Sequence, residues 1–247
     1  MSLAMFLHIL ILLGGLQGLI TGSLLFSEGV TRRANRYLGV LLWLMALASI
    51  NLFLEYTGWY YSSTTIAIIH NLVPLVIIMP AGPLLYFYVR GSIDPEFRIS
   101  KRWKLHFVPV IIDFIPSLAS LIFILGVKWN ILFPDARPWG IFIDYVSVYS
   151  DIPRWISLTL YTIASAKFLN AVRGNGAKSQ TAINNWLRQF IRIFLVFQFI
   201  WLLYLVPYII PVTTDFILRT FSWYPVYIPL TFLIYWLRSE EHTSERV

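Results

Sequence analysis

Charged side chains are scarce along this chain, and the polar and ionisable ones of most interest within or beside its apolar stretches fall into two groups. The first holds Glu55, Tyr56, His70, Asn71, Asp144, Asp151 and Arg154, with the rings of Trp59, Tyr60 and Trp155 close by in sequence. Carboxylates, an imidazole and a guanidinium rimmed by aromatic rings suit an amphipathic small molecule, held by a few polar contacts on an apolar wall. The plainer reading is structural. Asp151 and Arg154, spaced i, i+3, share one helix face and neutralise each other, and a single buried His is commonly just hydrogen-bonded. The second group is Asp113 and Arg192, placed at similar depth and expected to form a structural ion pair. Nothing ionisable links the two groups, which speaks against a proton relay.

Motifs for covalent, metal or nucleotide chemistry are missing. There is no His-Glu-x-x-His, no Gly-x-Ser-x-Gly, no phosphate loop and no dinucleotide fingerprint. Without cysteine there are no disulfides, thiolate metal sites or Cys nucleophiles. No lysine lies mid-depth in the last apolar segment to hold a retinal. The expectation is a protein that is not an enzyme, with no metal and no cofactor.

The elements that must position these residues follow from composition. Hydrophobic residues make up 58% of the chain and charged ones 13%, with a mean hydropathy of +0.70, where soluble domains carry about a quarter charged residues. A soluble globule and a disordered chain are both excluded. A bilayer core is crossed by about 20 apolar residues in a helix, and seven segments meet that requirement: 3–26, 37–56, 64–89, 106–126, 145–168, 190–210 and 217–237. The expected fold is all-α, a polytopic seven-helix membrane bundle forming one domain over 1–238, with a short polar tail, 239–247, outside it. The first segment has no basic start and no small-residue cleavage site, so it reads as a retained helix rather than a secretory signal. Its Gly14, Gly18 and Gly22 recur every four residues, the spacing of a close helix-packing seam in lipid. Pro74, Pro80 and Pro83 invite a bend in the third segment.

Basic residues alternate between loops. Arg32, Arg33 and Arg36 follow the first segment; Arg90, Arg98, Lys101, Arg102 and Lys104 follow the third; Lys167, Arg173, Lys178 and Arg188 follow the fifth. The opposite side carries only Lys128, Arg137 and Arg219, plus Arg154 near a helix mouth. The positive-inside rule therefore puts the N-terminus outside and the C-terminus inside. Topology and the headgroup layer account for the formal charge of +7 without a nucleic-acid surface, and Asn175-Gly176 is a turn signal.

Several stretches are familiar as words: Gly14-Gly15-Leu16-Gln17-Gly18, Arg33-Ala34-Asn35-Arg36-Tyr37-Leu38-Gly39, Gly82-Pro83-Leu84-Leu85-Tyr86-Phe87-Tyr88-Val89-Arg90 and His106-Phe107-Val108-Pro109. They resemble the seven-helix N-terminal membrane region of bacterial AraC-type transcriptional regulators of the Bacteroidota. In that family the last helix leads into a cytoplasmic helix-turn-helix domain. The resemblance implies an inner-membrane sensor whose partners are the bilayer and an unidentified small-molecule or lipid signal. DNA would be reached only through a C-terminal domain, and a homodimer is one assembly this reading allows. After Trp236-Leu237-Arg238 the chain has only Ser-Glu-Glu-His-Thr-Ser-Glu-Arg-Val, too short for a DNA-binding fold and resembling a translated sequencing-adapter fragment, so truncation is expected. The competing expectations are a small transporter, which would need repeats and broken helices, and a membrane subunit without a ligand.

Overall fold

A computed structural model describes residues 2–28, 33–94, 96–174 and 181–244. Arg32, Asn175, Gly176, Lys178 and the last three tail positions lie outside the described residues. Every regular element among those described is helical, because in lipid the backbone must satisfy its hydrogen bonds within the segment. The order is α1 (Leu3–Glu28), α2 (Arg33–Tyr56), α3 (Thr64–Leu72), α4 (Ala81–Ile93), α5 (Lys101–Lys104), α6 (Ile111–Lys128), α7 (Arg137–Gly174), α8 (Thr181–Tyr208), α9 (Pro211–Phe221) and α10 (Tyr224–Ser244). Short 3-10 turns occupy Trp59–Tyr61 and Leu105–Val110. Four stretches, Leu3–Ser27, Arg33–Tyr56, Lys101–Lys128 and Ile183–Tyr208, are long and apolar enough to cross a membrane.

The helices close into a ring: α1 packs on α2, α2 on α4, α4 on α7, α7 on α8, α8 on α10, and α10 back on α1. Helix α6 lies outside the ring against α7 and α3, and α9 leans on α8. One corner is tight because glycine removes the side chain that would hold two backbones apart. A Cβ at Gly22 would lie 2.8 Å from the Gly39 carbonyl oxygen and 2.7 Å from the Trp43 ring; one at Gly18 would lie 3.1 Å from Ala46 and 3.3 Å from Ile234. Gly14 faces Thr231 on α10. The glycines at 14, 18 and 22 thus lie between α1 and its two neighbours.

Two of the expected continuous segments are broken. The third is not one bent helix but α3 and α4, separated by an irregular stretch over 73–80. Val73 precedes Pro74 and is extended, with φ −113° and ψ 100°, as the clash with a following proline ring dictates. Pro80 then caps α4, while Pro83 falls in its first turn, where no backbone donor is lost. The seventh segment is likewise split, at Ser222, whose φ of 49° and ψ of −144° no helix contains. Helix α10 runs from the second break through Ser244.

The basic ends of three helices gather at one end of the bundle. A Cβ at Gly91 would touch Ala34 at 3.4 Å, and the Arg90 guanidinium stands over the rings of Phe97 at 4.8 Å, Trp103 at 5.1 Å and Phe168 at 5.7 Å. This joins the start of α2, the ends of α4 and α7, and α5.

Candidate functional site: a cavity around a buried ion triad

Bounded by α2, α7, α8 and α10 of the ring and reaching out to α3 and α6 lies a cavity of about 420 Å³, within the range of small-molecule pockets. Leu41 and Glu55 of α2 both line it, so it runs roughly 21 Å along that helix at ~1.5 Å per residue. Leu41, at the deep end, is fully buried, whereas Glu55, at the other, is exposed. The mouth is therefore at the end opposite the basic cluster.

Its polar floor is built from two helices and a break. Arg154 of α7 donates from Nε to Asp113 Oδ1 at 2.7 Å and from Nη1 to Asp151 Oδ1 at 2.9 Å. Asp113 of α6 then takes the backbone N–H groups of Ile78 and Met79 on Oδ2, at 2.8 and 2.7 Å. Those donors belong to the interruption between α3 and α4, where no carbonyl one turn back receives them. An unpaired backbone donor in a dry interior costs about 1–3 kcal/mol, so the carboxylate is what makes the break tolerable. The Asp113 side chain is 0% exposed and that of Arg154 10%.

The expected Asp113–Arg192 pair does not form. Arg192 lies on an exposed face of α8, while Asp113 is committed to Arg154. Depth from a membrane surface places residues in a layer and does not choose a partner around the ring.

Of the first group, Glu55, His70, Asn71, Asp151 and Arg154 line one space. The i, i+3 neutralisation of Asp151 and Arg154 is present, and the same two residues also face the cavity. His70 stacks on Tyr60, ring centroids 3.6 Å apart, and its Nδ1 is buried without a hydrogen-bond partner among the described residues. Tyr60 donates its hydroxyl to Asn51 Oδ1 at 2.8 Å. Three of the expected lining residues stand elsewhere. Tyr56 stacks on His8 at 3.6 Å, Trp59 borders a smaller recess behind His70, and Trp155 donates its indole N–H to the Gln198 carbonyl at 2.9 Å, fastening α7 to α8. Asp144 is exposed on α7.

Other residues of the site had no signal in the spacing: Asn51, Trp201, Tyr208, Trp223 and Tyr227 also line the cavity. The break at Ser222 brings Trp223 to the wall, and Tyr204 holds that break by donating its hydroxyl to the Ser222 carbonyl at 2.6 Å. Both interrupted segments, at 74–78 and at 223, thus border the same space. No group of three His, Cys, Asp or Glu side chains among the described residues is arranged to hold a metal ion. Chemically, the cavity offers charge and hydrogen bonds at one depth and aromatic and aliphatic walls along the rest. Comparisons with family models, curated proteins and solved structures give no match.

Proposed function

We propose that this chain is the membrane-embedded sensor module of a bacterial one-component transcriptional regulator. A small molecule entering from the outer side would occupy the cavity and act through α10 on whatever follows it in the cytoplasm. The observation that carries this reading is the cavity itself, with Arg154 held between Asp113 and Asp151 and its mouth at the less basic end of the bundle. The gathering of Ala34, Arg90 and Phe168 at the other end supports an inner-membrane topology with that end in the cytoplasm. Seven crossings follow if α3 with α4, and α9 with α10, each count as one interrupted span. The resemblance to the AraC-type membrane region supplies the transcriptional part.

A route from ligand to output exists in the packing. Trp223, just before α10, and Val226, Tyr227 and Leu230 in its first two turns line the cavity, and a guest that contacts them differently in two arrangements would shift their balance. A second reading, a small transporter, is favoured by one specific feature: two interrupted helices border one polar cavity, as in transporters whose binding sites sit at helix breaks. The two are separated by joining a DNA-binding reporter domain after Ser244 and screening small molecules in cells, with uptake measured in parallel in proteoliposomes. A saturable change in reporter output, lost in Arg154→Ala at normal membrane level, is the expected result. Accumulation of a compound inside vesicles with an unresponsive reporter would replace the sensor with the transporter.

A further inference from the structure

The charges on the cavity wall do not balance. Three carboxylates, Asp113, Asp151 and Glu55, line it with a single guanidinium, that of Arg154, which contacts only the first two. Arg154 spends Nε on Asp113 and Nη1 on Asp151, and the remaining Asp113 oxygen is taken by two backbone N–H groups. Asp151 differs. Its side chain is 8% exposed, yet its Oδ2 receives no hydrogen bond from any described residue, and it is not among the polar atoms sealed from solvent. A carboxylate oxygen left open beside a low-dielectric wall, in a cluster with excess negative charge, is costly until a proton or a cation meets it.

The remaining wall says which cation. Trp201, Tyr208, Trp223 and Tyr227 border the same space, and the faces of such rings attract cations electrostatically. A bare metal ion would want several oxygen or nitrogen ligands at once, and no group of three His, Cys, Asp or Glu side chains among the described residues is arranged to supply them. We infer that the guest is a small amphipathic organic amine in its protonated form, whose ammonium donates to Asp151 Oδ2 while its apolar body lies against the Trp201 and Trp223 rings. Glu55, exposed at the mouth, draws such cations in. This inference rests on the cavity being a ligand site and adds the chemical class of the ligand.

The test uses the full chain in lipid nanodiscs, with tryptophan fluorescence as the readout. Three probes share one phenyl body: 2-phenylethylamine, neutral 2-phenylethanol and anionic 3-phenylpropanoate. The amine is expected to bind saturably and about tenfold or more tighter than the alcohol, as befits a hydrogen bond to a charged group. Asp151→Asn should erase that advantage. Because Asp151→Asn also loosens Arg154 and can unfold the bundle, Glu55→Gln serves as the second variant, expected to weaken amine binding about threefold, the scale of an exposed charge pair. Equal binding of amine and alcohol, or amine binding indifferent to both variants, would overturn the amine assignment and leave the cavity a ligand site. Tightest binding by the carboxylate would do the same by making Arg154 the anchor, and displacement of the amine by millimolar sodium would make the guest an inorganic ion. Failure of all three probes to bind would overturn both this inference and the ligand-site reading.

Discussion

In the corner formed by α1, α2 and α10, glycines at 18, 22 and 39 let backbones and small side chains meet at van der Waals distance, and buried polar groups are paired: Gln17 donates to Thr21 at 2.9 Å and accepts from Arg238. On their other faces α2 and α10, together with α3, α6, α7 and α8, surround an open cavity with two interrupted helices, three charged residues in contact and polar atoms at His70 and Asp151 without hydrogen-bond partners among the described residues. Both halves solve helix association in lipid, one chiefly by close packing and the other by polar contacts that hold a space open. The contrast divides the labour. A corner with no room to shift serves as a frame, and the half whose helix breaks depend on a few hydrogen bonds is where a guest can alter the structure.

The contrast is broken most forcefully at the triad. Arg154→Ala leaves two carboxylates facing each other in low dielectric and should cost about 3–5 kcal/mol in detergent unfolding. Asp113→Asn and Arg154→Gln combined should cost less than their separate sum by about 1 kcal/mol or more; strict additivity would mean that the pair contributes nothing. Next comes the frame. Gly22→Leu drives a side chain into the Gly39 carbonyl and the Trp43 ring and should cost about 1–3 kcal/mol, as overpacking does. Ile20→Ala, on a face 57% exposed, should change the unfolding midpoint little by comparison.

Ser222→Gly is expected to act in the opposite direction. Ser222 is a non-glycine residue at φ 49°, a conformation that costs of order 1–3 kcal/mol. Glycine should recover about 1 kcal/mol, part of the gain being returned through a more flexible unfolded chain. No gain would place the origin of the second break elsewhere. The smallest effect belongs to Arg192→Gln, exposed on α8 and expected to stay within about 0.5 kcal/mol of the parent.

The helical class and the apolar stretches were legible because lipid leaves the backbone few options, so length and hydropathy suffice for elements such as α1 and α2. Part of the first polar group was legible for the same reason: charges in apolar segments are costly, which singled out Asp151, Arg154 and Glu55. Partner choice was not legible. Asp113 and Arg154 are 41 residues apart, and which helices become neighbours around the ring has no counterpart in loop length or spacing. One signal was there to be used. Pro74 and Pro80, six residues apart, mark a stretch that cannot remain helical, whose freed N–H groups need an acceptor. Asp113 is the carboxylate inside the next apolar segment. Tyr56, Trp59 and Trp155 were misplaced because an aromatic near a polar group in sequence can turn to either side of its helix.

The central claim is that a water-accessible cavity opens to the outside and is lined by α2, α3, α7 and the helix breaks. The chain has no cysteine, so single cysteines at Asn71, Ser147, Ile20 and Phe199 can be compared in intact cells with a membrane-impermeant cationic thiosulfonate. Asn71 and Ser147 line the cavity, whereas Ile20 and Phe199 are exposed on the outer faces of α1 and α8. The predicted result is rapid labelling at 71 and 147, slowed by phenylethylamine, with 20 and 199 silent. Silence at all four positions, or labelling at 71 and 147 only after the membrane is permeabilised, would contradict it.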